Sequence, residues 1–368
     1  MYLLLIFTAG FLIYLYFYTN SVTEQEINIH LNKKLNKRAD SHTSRECAES
    51  NFTILHLSDF HFTSEGLLED KIKKKIAELD YDLVALTGDY LEDSSKMADF
   101  FRYLDSLKFT APVVAVPGNH DYNNHFNDLK LRFERRGFKF LHNESLTYYH
   151  DSCRINLIGV GSPNRGRDNL ERALQRWRPE EENFVFDEDI LLHDVNSSNQ
   201  AQDRRDSFLT KENLELDKNQ KDDRDKNQKN NQVKNQNDDR EKIRNEGQDK
   251  NQDGEQNKKQ KDEQDKKEIN IILSHTHGIV NSLEEKSDGF SSSEVDLILT
   301  GDTHGGQINI PLLSRFIIPL AFNRDSSYIA GRYNHGGTVI YINRGLGTTI
   351  LPLRFNSRPE ITIIRLRH

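Results

Sequence analysis

The chain of 368 residues is long enough for one large domain or two, and its net charge of -8 argues against nucleic acid as the main partner. Its two cysteines, Cys47 and Cys153, supply neither a disulfide framework nor a cysteine-based metal site. Only 35% of the residues are hydrophobic, yet apolar runs are frequent near both ends. The composition therefore indicates an ordinary core interrupted by a very polar segment.

The first residues predict an apolar helix. Residues 2–18 carry no charge, and their number lies at the short end of what crosses a bilayer as a helix. Tyr14, Tyr16 and Tyr18 suit the interface between lipid and water. A cleaved signal peptide would have basic residues before this run and a small-x-small site after it, and neither is evident. We expect a membrane anchor over residues 1–19, with a signal peptide and a buried helix as the alternatives.

The charges around the anchor indicate its orientation. No basic side chain precedes the apolar run, and several follow it within the polar segment 20–50, which we predict to be a tether. The positive-inside tendency then favours a cytoplasmic catalytic domain. The basic residues concerned are Lys33, Lys34, Lys37 and Arg38.

Beyond the tether, apolar strands alternate with amphipathic helices. Strands are predicted at 52–58, 82–87 and 112–116, and helices at 67–79 and 96–107. This alternation indicates an α/β sheet. In such sheets a ligand site lies beyond the carboxyl ends of the strands.

Each of these strands is followed by residues of types that can bind metals. The first is followed by Asp59 and His61 and the second by Asp89, while the third leads into Asn119, His120 and Asp121. Any one of these residues alone is more often a turn former or a helix cap. Three consecutive strands with the same ending favour a metal site instead.

The carboxyl-terminal third repeats the pattern. A strand over 295–299 runs into a glycine-rich turn that carries Asp302 and His304, and a strand from Ile269 ends at His275. His193 also ends a strand-like run. We favour His275 because it lies in the block directly before the 295–307 strand and turn.

Three further side chains near these blocks receive weaker assignments. His277 lies two residues after His275, and we expect it to be a neighbour of the site rather than a ligand. Arg165 and Arg167 are candidates for contact with a substrate phosphate, with ordinary solvated arginines as the alternative.

Residues 196–268 interrupt the pattern. Between Lys211 and Glu268 there is no aromatic residue, and the motif Lys-Asn-Gln recurs at spacings that are multiples of eight. Such a segment cannot bury enough apolar surface to offset its ordering entropy. We predict a disordered insertion that separates two parts of one domain, 51–195 and 269–368; a solvated charged helix and a partner-binding segment are the alternatives.

The ordered blocks together resemble the calcineurin-like metallophosphoesterase superfamily. The resemblance covers roughly residues 52–175 and 269–367, and its closing motifs are similar to those of the membrane-associated bacterial phosphodiesterase branch. Those motifs are Gly305-Gly-Gln, Gly331-Arg-Tyr, Asn343-Arg-Gly-Leu-Gly, Leu353-Arg-Phe and Arg358-Pro-Glu-Ile. The resemblance implies a four-layer α/β fold in which a β-sandwich is flanked by helices, with a dinuclear metal site at the sheet ends.

The resemblance also implies roles for individual residues. Asp89 would bridge two divalent cations, the first bound further by Asp59, His61 and His304 and the second by Asn119, His275 and Asp302. His120 would contact the phosphoryl oxygen or protonate the leaving group, and Asp121 would orient His120. Two such cations would lower the pKa of a shared water and neutralise charge in the transition state.

One position departs from the superfamily pattern. The usual block is Gly-His-x-His, whereas this chain has Asp302 where the first of those histidines stands. A carboxylate is a harder ligand than imidazole, so the metals could be Mn²⁺, Mg²⁺, iron or Zn²⁺.

Two functions are consistent with these residues. The first is a membrane-anchored phosphodiesterase or pyrophosphatase acting on a phosphoester substrate that could be lipid-linked, as some members of the branch cleave UDP-2,3-diacylglucosamine. The second is a catalytically weakened relative that serves as a binding or scaffold protein.

Overall fold

A computed structural model describes residues 2–31, 51–122, 125–150, 153–162, 165, 167–175, 267–285, 294–310 and 328–367. The predicted insertion lies outside these residues except for its last two, Lys267 and Glu268, which begin a strand. His193 lies outside them as well, so its assignment and the proposed domain boundaries stay predictions.

The described residues contain six α-helices and twelve strands. The helices are α1 (Tyr2–Thr19), α2 (Leu67–Ile76), α3 (Met97–Ser106), α4 (Phe126–Glu134), α5 (Leu170–Gln175) and α6 (Ile279–Glu285). The first six strands are β1 (Thr23–His30), β2 (Phe52–Leu57), β3 (Leu83–Thr87), β4 (Val113–Val116), β5 (Lys139–Phe140) and β6 (Glu144–His150). The other six are β7 (Cys153–Val160), β8 (Lys267–Ser274), β9 (Leu297–Thr300), β10 (Gly331–His335), β11 (Thr338–Ile342) and β12 (Glu360–Arg367).

These strands form two six-stranded mixed sheets. The first has the order β1-β12-β2-β3-β4-β5, and β2 to β5 run parallel within it. The second has the order β10-β11-β9-β8-β7-β6, and β7, β8, β9 and β11 run parallel. Strand β8 pairs with β7 over its whole length, so the segments before and after the predicted insertion belong to one sheet.

The two sheets pack face to face and helices cover their outer faces. Side chains such as Ile54, Leu83, Leu157 and Leu297 fill the space between the sheets. Helices α2 to α4 cover the first sheet, and α5 and α6 cover the second. This is the four-layer α/β arrangement that the sequence predicted, built as expected on buried parallel strands with near-continuous apolar runs.

The spacing of apolar residues explains how the helices attach. Helix α2 buries Leu68, Ile72 and Ile76 at intervals of four residues, which places them on one face. Its lysines at 73 to 75 lie in the last turn, where positive charge is favourable.

Residues 23–30 of the predicted tether form a strand, which corrects their interpretation as irregular. Residues 32–50 lie outside the described part of the chain, and their interpretation stays a prediction. Strand β1 pairs in parallel with β12 through an eight-residue register at the edge of the first sheet. Ile27 and Ile29 are the two apolar residues of this strand. Its polar residues are exposed or half-buried. An edge strand needs one covered face, so its sequence resembles a polar linker.

Helix α1 is long and apolar enough to cross a membrane, and only 11% of it is buried. Its carboxyl end is in contact with the rest of the described chain. The hydroxyl of Thr19 accepts a hydrogen bond of 2.8 Å from the backbone N–H of Arg354. The side chain of Leu15 is buried as well.

Candidate metal centre

The loops that follow β2, β3, β4, β8 and β9 meet at one edge of the two sheets. They bring six of the seven predicted metal ligands together, each with a ligand atom within 3.6 Å of another. The six are Asp59, His61, Asp89, His275, Asp302 and His304. Convergence follows from the parallel strands, whose carboxyl ends face the same way.

The first group consists of Asp59, His61 and His304. The Nε2 atom of His304 lies 3.2 Å from Nε2 of His61 and 3.4 Å from Oδ1 of Asp59. Two ligand atoms that share one cation at about 2.1 Å lie roughly 3.0–3.4 Å apart. The spacing of this group therefore fits one cation between the three side chains.

The second group surrounds His275, which is fully buried. Its Nε2 lies 3.1 Å from Oδ2 of Asp89, 3.6 Å from Oδ1 of Asp302 and 3.9 Å from Oδ1 of Asp59. Burial lowers the pKa of His275, but the three carboxylates outweigh burial and raise it well above the ordinary value. A divalent cation bound here would supply the positive charge that these carboxylates face.

Asp89 connects the two groups. Its Oδ2 lies 3.5 Å from Nε2 of His61 and 3.1 Å from Nε2 of His275. Its Oδ1 accepts a hydrogen bond of 2.9 Å from the backbone N–H of His120. Burial acts to raise the pKa of Asp89, yet His275 and His61 hold it below its usual range. Asp89 is thus an ionised carboxylate with one oxygen directed between two candidate cation sites.

Asn119 supplies a further observation in favour of a cation. Its Oδ1 is buried and makes no hydrogen bond within the described part of the chain. A buried amide oxygen without a partner is unfavourable unless another group occupies the position. Because Asn119 directly precedes His120, whose N–H donates to Asp89, this atom is a candidate for the second cation site. The residue types as a whole fit two divalent cations.

The backbone at the ligands is unusual. Asp59, His61, Asp89, Asp302 and His304 all have positive φ, between +39° and +73°. Non-glycine residues seldom adopt this conformation, and when they do they often lie at functional sites. Five of the ten non-glycine residues with positive φ in the described part of the chain are thus predicted ligands.

Hydrogen bonds to the outer ring nitrogens orient two of the histidines. Nδ1 of His61 lies 2.7 Å from Oε2 of Glu92, and Nδ1 of His275 donates to the carbonyl of Thr87 at 2.7 Å. With the proton on Nδ1, each neutral ring has its lone pair on Nε2, which faces the other ligands. The contact with His61 also lowers the pKa of Glu92.

His304 has a different support. The guanidinium of Arg354 is fully buried, donates to backbone carbonyls including those of His304 and Arg344, and lies 3.2 Å from Nδ1 of His304. A guanidinium only donates, so Nδ1 accepts and a neutral ring carries its proton on Nε2. Binding of a cation at Nε2 therefore requires this contact to open. Burial, with His61 and Arg354, lowers the pKa of His304 and keeps its ring neutral.

The two predicted catalytic residues occupy different places. The ring of His120 lies against that of His61, with centroids 5.1 Å apart, beside a cavity of about 310 Å³. The carboxylate of Asp121 instead accepts from the backbone N–H groups of Asp89, Tyr90 and Gly118, at 2.7 to 3.0 Å. Among the described residues it makes no hydrogen bond to the ring of His120, so its contacts position the loops after β3 and β4.

The other predicted residues lie at the edge of the centre. Arg165 donates to the backbone carbonyl of Asn119 at 3.0 Å, which places it beside the site. Arg167 is exposed, and its own carbonyl accepts from Asn143. The ring of His277 stacks on Tyr328. That His277 is a neighbour of the centre rather than a ligand stays a prediction.

Glu92 and Arg354 contact the candidate ligands His61 and His304, and the sequence interpretation missed both contacts. Glu92 lies in a loop without periodicity, three residues after Asp89, and no pattern indicated its contact with His61. Arg354 belongs to the Leu-Arg-Phe motif that resembles the phosphodiesterase branch. That motif was the available signal, although it does not indicate that the arginine is buried against His304.

Comparison with known proteins supports these observations. A family model described as calcineurin-like phosphoesterase matches residues 52–306. The uncharacterised metallophosphoesterase YkuE of Bacillus subtilis is 49% identical over 73 residues, which cover 20% of this chain and 24% of that protein. An uncharacterised metallophosphoesterase of Helicobacter pylori strain 26695 is 25% identical over 319 residues, which cover 85% of this chain and 59% of that protein.

A third relative has a named activity. The phosphodiesterase YaeI of Escherichia coli is 44% identical over 71 residues, which cover 19% of this chain and 25% of that protein. The chain thus spans less than two thirds of the length of each of these relatives. The similarity is strongest over short stretches.

Proposed function

This chain belongs to the calcineurin-like phosphoesterase family. We propose that it is a metal-dependent phosphoester hydrolase that is anchored in a membrane and cleaves a phosphodiester or pyrophosphate bond of a lipid-linked substrate. The proposed cofactors are two divalent cations. The observation that supports them most is the position of Asp89, whose Oδ2 lies between His61 and His275. The seven ligands are those predicted from the sequence.

The cations, when bound, would supply Lewis acidity and a water of lowered pKa. The residues of the chain perform the remaining tasks. Asp59, Asp89 and Asp302 would balance the charge of the cations. Glu92 and the Thr87 carbonyl hold the imidazoles of His61 and His275 in place.

His120 is the proposed acid or hydrogen-bond donor toward the phosphoryl group. Its backbone N–H is fixed on Asp89 and its ring borders both His61 and the cavity. The cavity would take the leaving group. It is lined by Leu91, Glu92, Asp93, Ser94, Met97, His125 and Leu129 as well as by residues 120 and 121.

The lipid-linked substrate is supported by helix α1. An apolar helix of this length next to the centre would hold the active site near a bilayer surface. UDP-2,3-diacylglucosamine is one substrate of this chemical class, with a pyrophosphate at the surface and acyl chains in the membrane. A scaffold function is the alternative, and the residue in its favour is Asp302, which adds negative charge where an anionic substrate must approach.

Turnover of a simple diester tests the proposal. Chain freed of metal and resupplied with Mn²⁺ should hydrolyse bis-p-nitrophenyl phosphate, and Asp89→Asn should abolish that hydrolysis. Asp105→Asn is the matched control, because Asp105 lies at the end of α3, outside the cavity lining, and pairs with Arg136. Absence of turnover with Mn²⁺, Mg²⁺, Fe²⁺ and Zn²⁺ alike would refute the hydrolase and favour the scaffold.

A further inference from the structure

Apolar side chains are exposed on the loop between β11 and β12. Ile350 is 88% exposed and Leu351 is 49% exposed. Ile350 also has a φ of +62°, which is rare for a β-branched residue because its side chain crowds the backbone. An apolar side chain that is both exposed to water and strained in its backbone does not stabilise a soluble protein. We call residues 348–353 the apolar loop.

The apolar loop is held in a fixed shape by one buried side chain. The amide nitrogen of Gln307 lies within hydrogen-bond distance of the carbonyls of Thr349, Leu351 and Leu353, at 2.8 to 3.2 Å. The amide oxygen of Gln307 accepts from the N–H of Thr349 at 2.9 Å. These hydrogen bonds fix the backbone on both sides of Ile350, so its exposed side chain is held in a defined position.

The apolar loop lies between helix α1 and the metal centre. At its carboxyl end Arg354 donates to Thr19, and the ring of Phe355 lies 6.3 Å from that of Phe11. At its amino end the N–H of Gly347 donates to the carbonyl of Asp59 at 2.7 Å. A membrane helix, an exposed apolar loop and a ligand of the centre are thus adjacent along the surface.

The charges at this place fit the surface of a bilayer. The guanidinium of Arg358 lies over the ring of Tyr18, 4.8 Å from its centroid, and Lys71 donates to the carbonyl of Asn20. Both cations lie at the carboxyl end of α1, at the level where lipid headgroups begin if α1 spans the membrane. A folded protein partner would cover the loop but would leave the apolar surface of α1 without an explanation.

We propose that Ile350 and Leu351 insert into the bilayer surface beside α1 and present the metal centre to phosphoesters held in the membrane. This inference rests on the proposed membrane anchor and hydrolase activity. The substrate class is an amphiphile whose phosphate lies at the lipid–water interface and whose hydrocarbon stays in the bilayer. The apolar loop would keep the distance between centre and interface constant during turnover.

Insertion can be measured without any catalysis. Full-length chain with Trp177→Phe, which removes its one tryptophan, receives a new tryptophan and is reconstituted into phosphatidylcholine–phosphatidylglycerol vesicles with brominated acyl chains. Fluorescence of Ile350→Trp should be quenched at least about twofold. Leu131→Trp, at an exposed position of α4, is the matched control and should keep its emission. Unquenched emission at position 350 overturns the inference.

A tryptophan within α1 separates this inference from the anchor itself. Quenching of Tyr14→Trp without quenching of Ile350→Trp refutes the apolar loop and leaves the anchor standing. Absence of quenching at both positions refutes the anchor and, with it, the inference. Quenching at both positions supports both.

A second experiment measures the consequence for turnover. Hexadecyl p-nitrophenyl phosphate in vesicles and bis-p-nitrophenyl phosphate in solution release the same product. For Ile350→Asp the ratio of the vesicle rate to the solution rate should fall about tenfold, because a buried charge weakens interfacial binding. Leu131→Asp should leave the ratio unchanged, and an equal ratio in both variants contradicts the inference. If the unsubstituted chain hydrolyses neither ester, the hydrolase activity is refuted, and the quenching experiment alone decides on insertion.

Discussion

The carboxylate of Glu92 lies 2.7 Å from Nδ1 of His61, so the lone pair of a neutral His61 is on the nitrogen that faces Asp89 and His304. Removing this acceptor frees the ring to rotate and to change tautomer. We expect Glu92→Ala to weaken Mn²⁺ binding by about 10- to 100-fold, as for other groups that orient a metal-binding histidine. Calorimetric titration of the metal-free chain measures the change.

Two variants make the test of Glu92 specific. Glu92→Gln keeps an oxygen that can accept the Nδ1 proton, so it should recover much of the affinity. Asp93→Asn alters the neighbouring acid and should leave the affinity as it was. The idea fails if Glu92→Ala and the unsubstituted chain bind Mn²⁺ equally.

We predict that Asp302 controls which metal is preferred. Its Oδ1 lies 3.6 Å from Nε2 of His275, at the second cation site. Asp302→His should raise the ratio of Zn²⁺-supported to Mn²⁺-supported turnover by about tenfold, because imidazole is a softer ligand than carboxylate. Asp302→Asn retains an oxygen ligand and serves as the control that removes only the charge. Identical metal preference in Asp302→His and the unsubstituted chain would contradict this role.

Gly301 leaves room for the first carboxylate. A Cβ at this position would collide with Oγ of Ser58 and Oδ2 of Asp59. Gly301→Ala should therefore displace Asp59 and lower kcat/KM by about 100-fold, the effect of misplacing a reactive group by an ångström. Gly66→Ala is the control, because its Cβ meets only the end of the Glu69 side chain at 3.4 Å. Wild-type kcat/KM in Gly301→Ala would show that the site tolerates the shift.

His56 makes the stability of the fold depend on pH. Burial lowers its pKa to about 3, whereas the unfolded chain has the ordinary value of 6.5. The unfolded state therefore binds the extra proton below pH 6.5, and stability is lost as the pH falls from 6.5 toward 3. Between pH 7 and pH 5 this residue alone should cost about 2 kcal/mol of unfolding free energy.

Urea denaturation in the presence of chelator measures that loss. The comparison is with His56→Gln, which can still contact the hydroxyl of Thr87 but does not titrate. The variant should be less stable at pH 7 and should lose about 2 kcal/mol less on acidification. Parallel pH dependence in the two proteins would exclude His56 as the cause.

Much of the layered fold could be predicted because its strands are buried on both faces. The runs that end at Ser58, Thr87 and Val116 are mainly apolar, and their strands are buried at every position. That pattern is typical of a strand covered on both faces. Strand β1 could not be predicted, since its pairing with β12 depends on a segment more than 300 residues away. The pattern of apolar residues indicates which positions are buried. An edge strand has few buried positions, so its pattern is weak.

The convergence of the proposed metal ligands could be predicted because each follows a strand closely. Their supports could not, because they come from elsewhere in the chain: Arg354 reaches His304 from 50 residues away, and Thr87 reaches His275 from 188 residues away. The role expected for Asp121 shows the same limit. Proximity in sequence suggested His120 as its partner, whereas its carboxylate accepts from three backbone amides.

The left-handed backbone at five of the proposed ligands has a consequence for how such a chain can change over time. Glycine would adopt these conformations with less strain, so replacing Asp59 or His304 by glycine would relieve local strain while removing a metal ligand. In a related protein that no longer needs the metals, substitution of these residues by glycine would increase stability. This chain retains side chains at all five, and its one departure from the superfamily, Asp302, is still a residue that binds metals. Side chains at all five places are what we expect of a chain that uses them to bind metals.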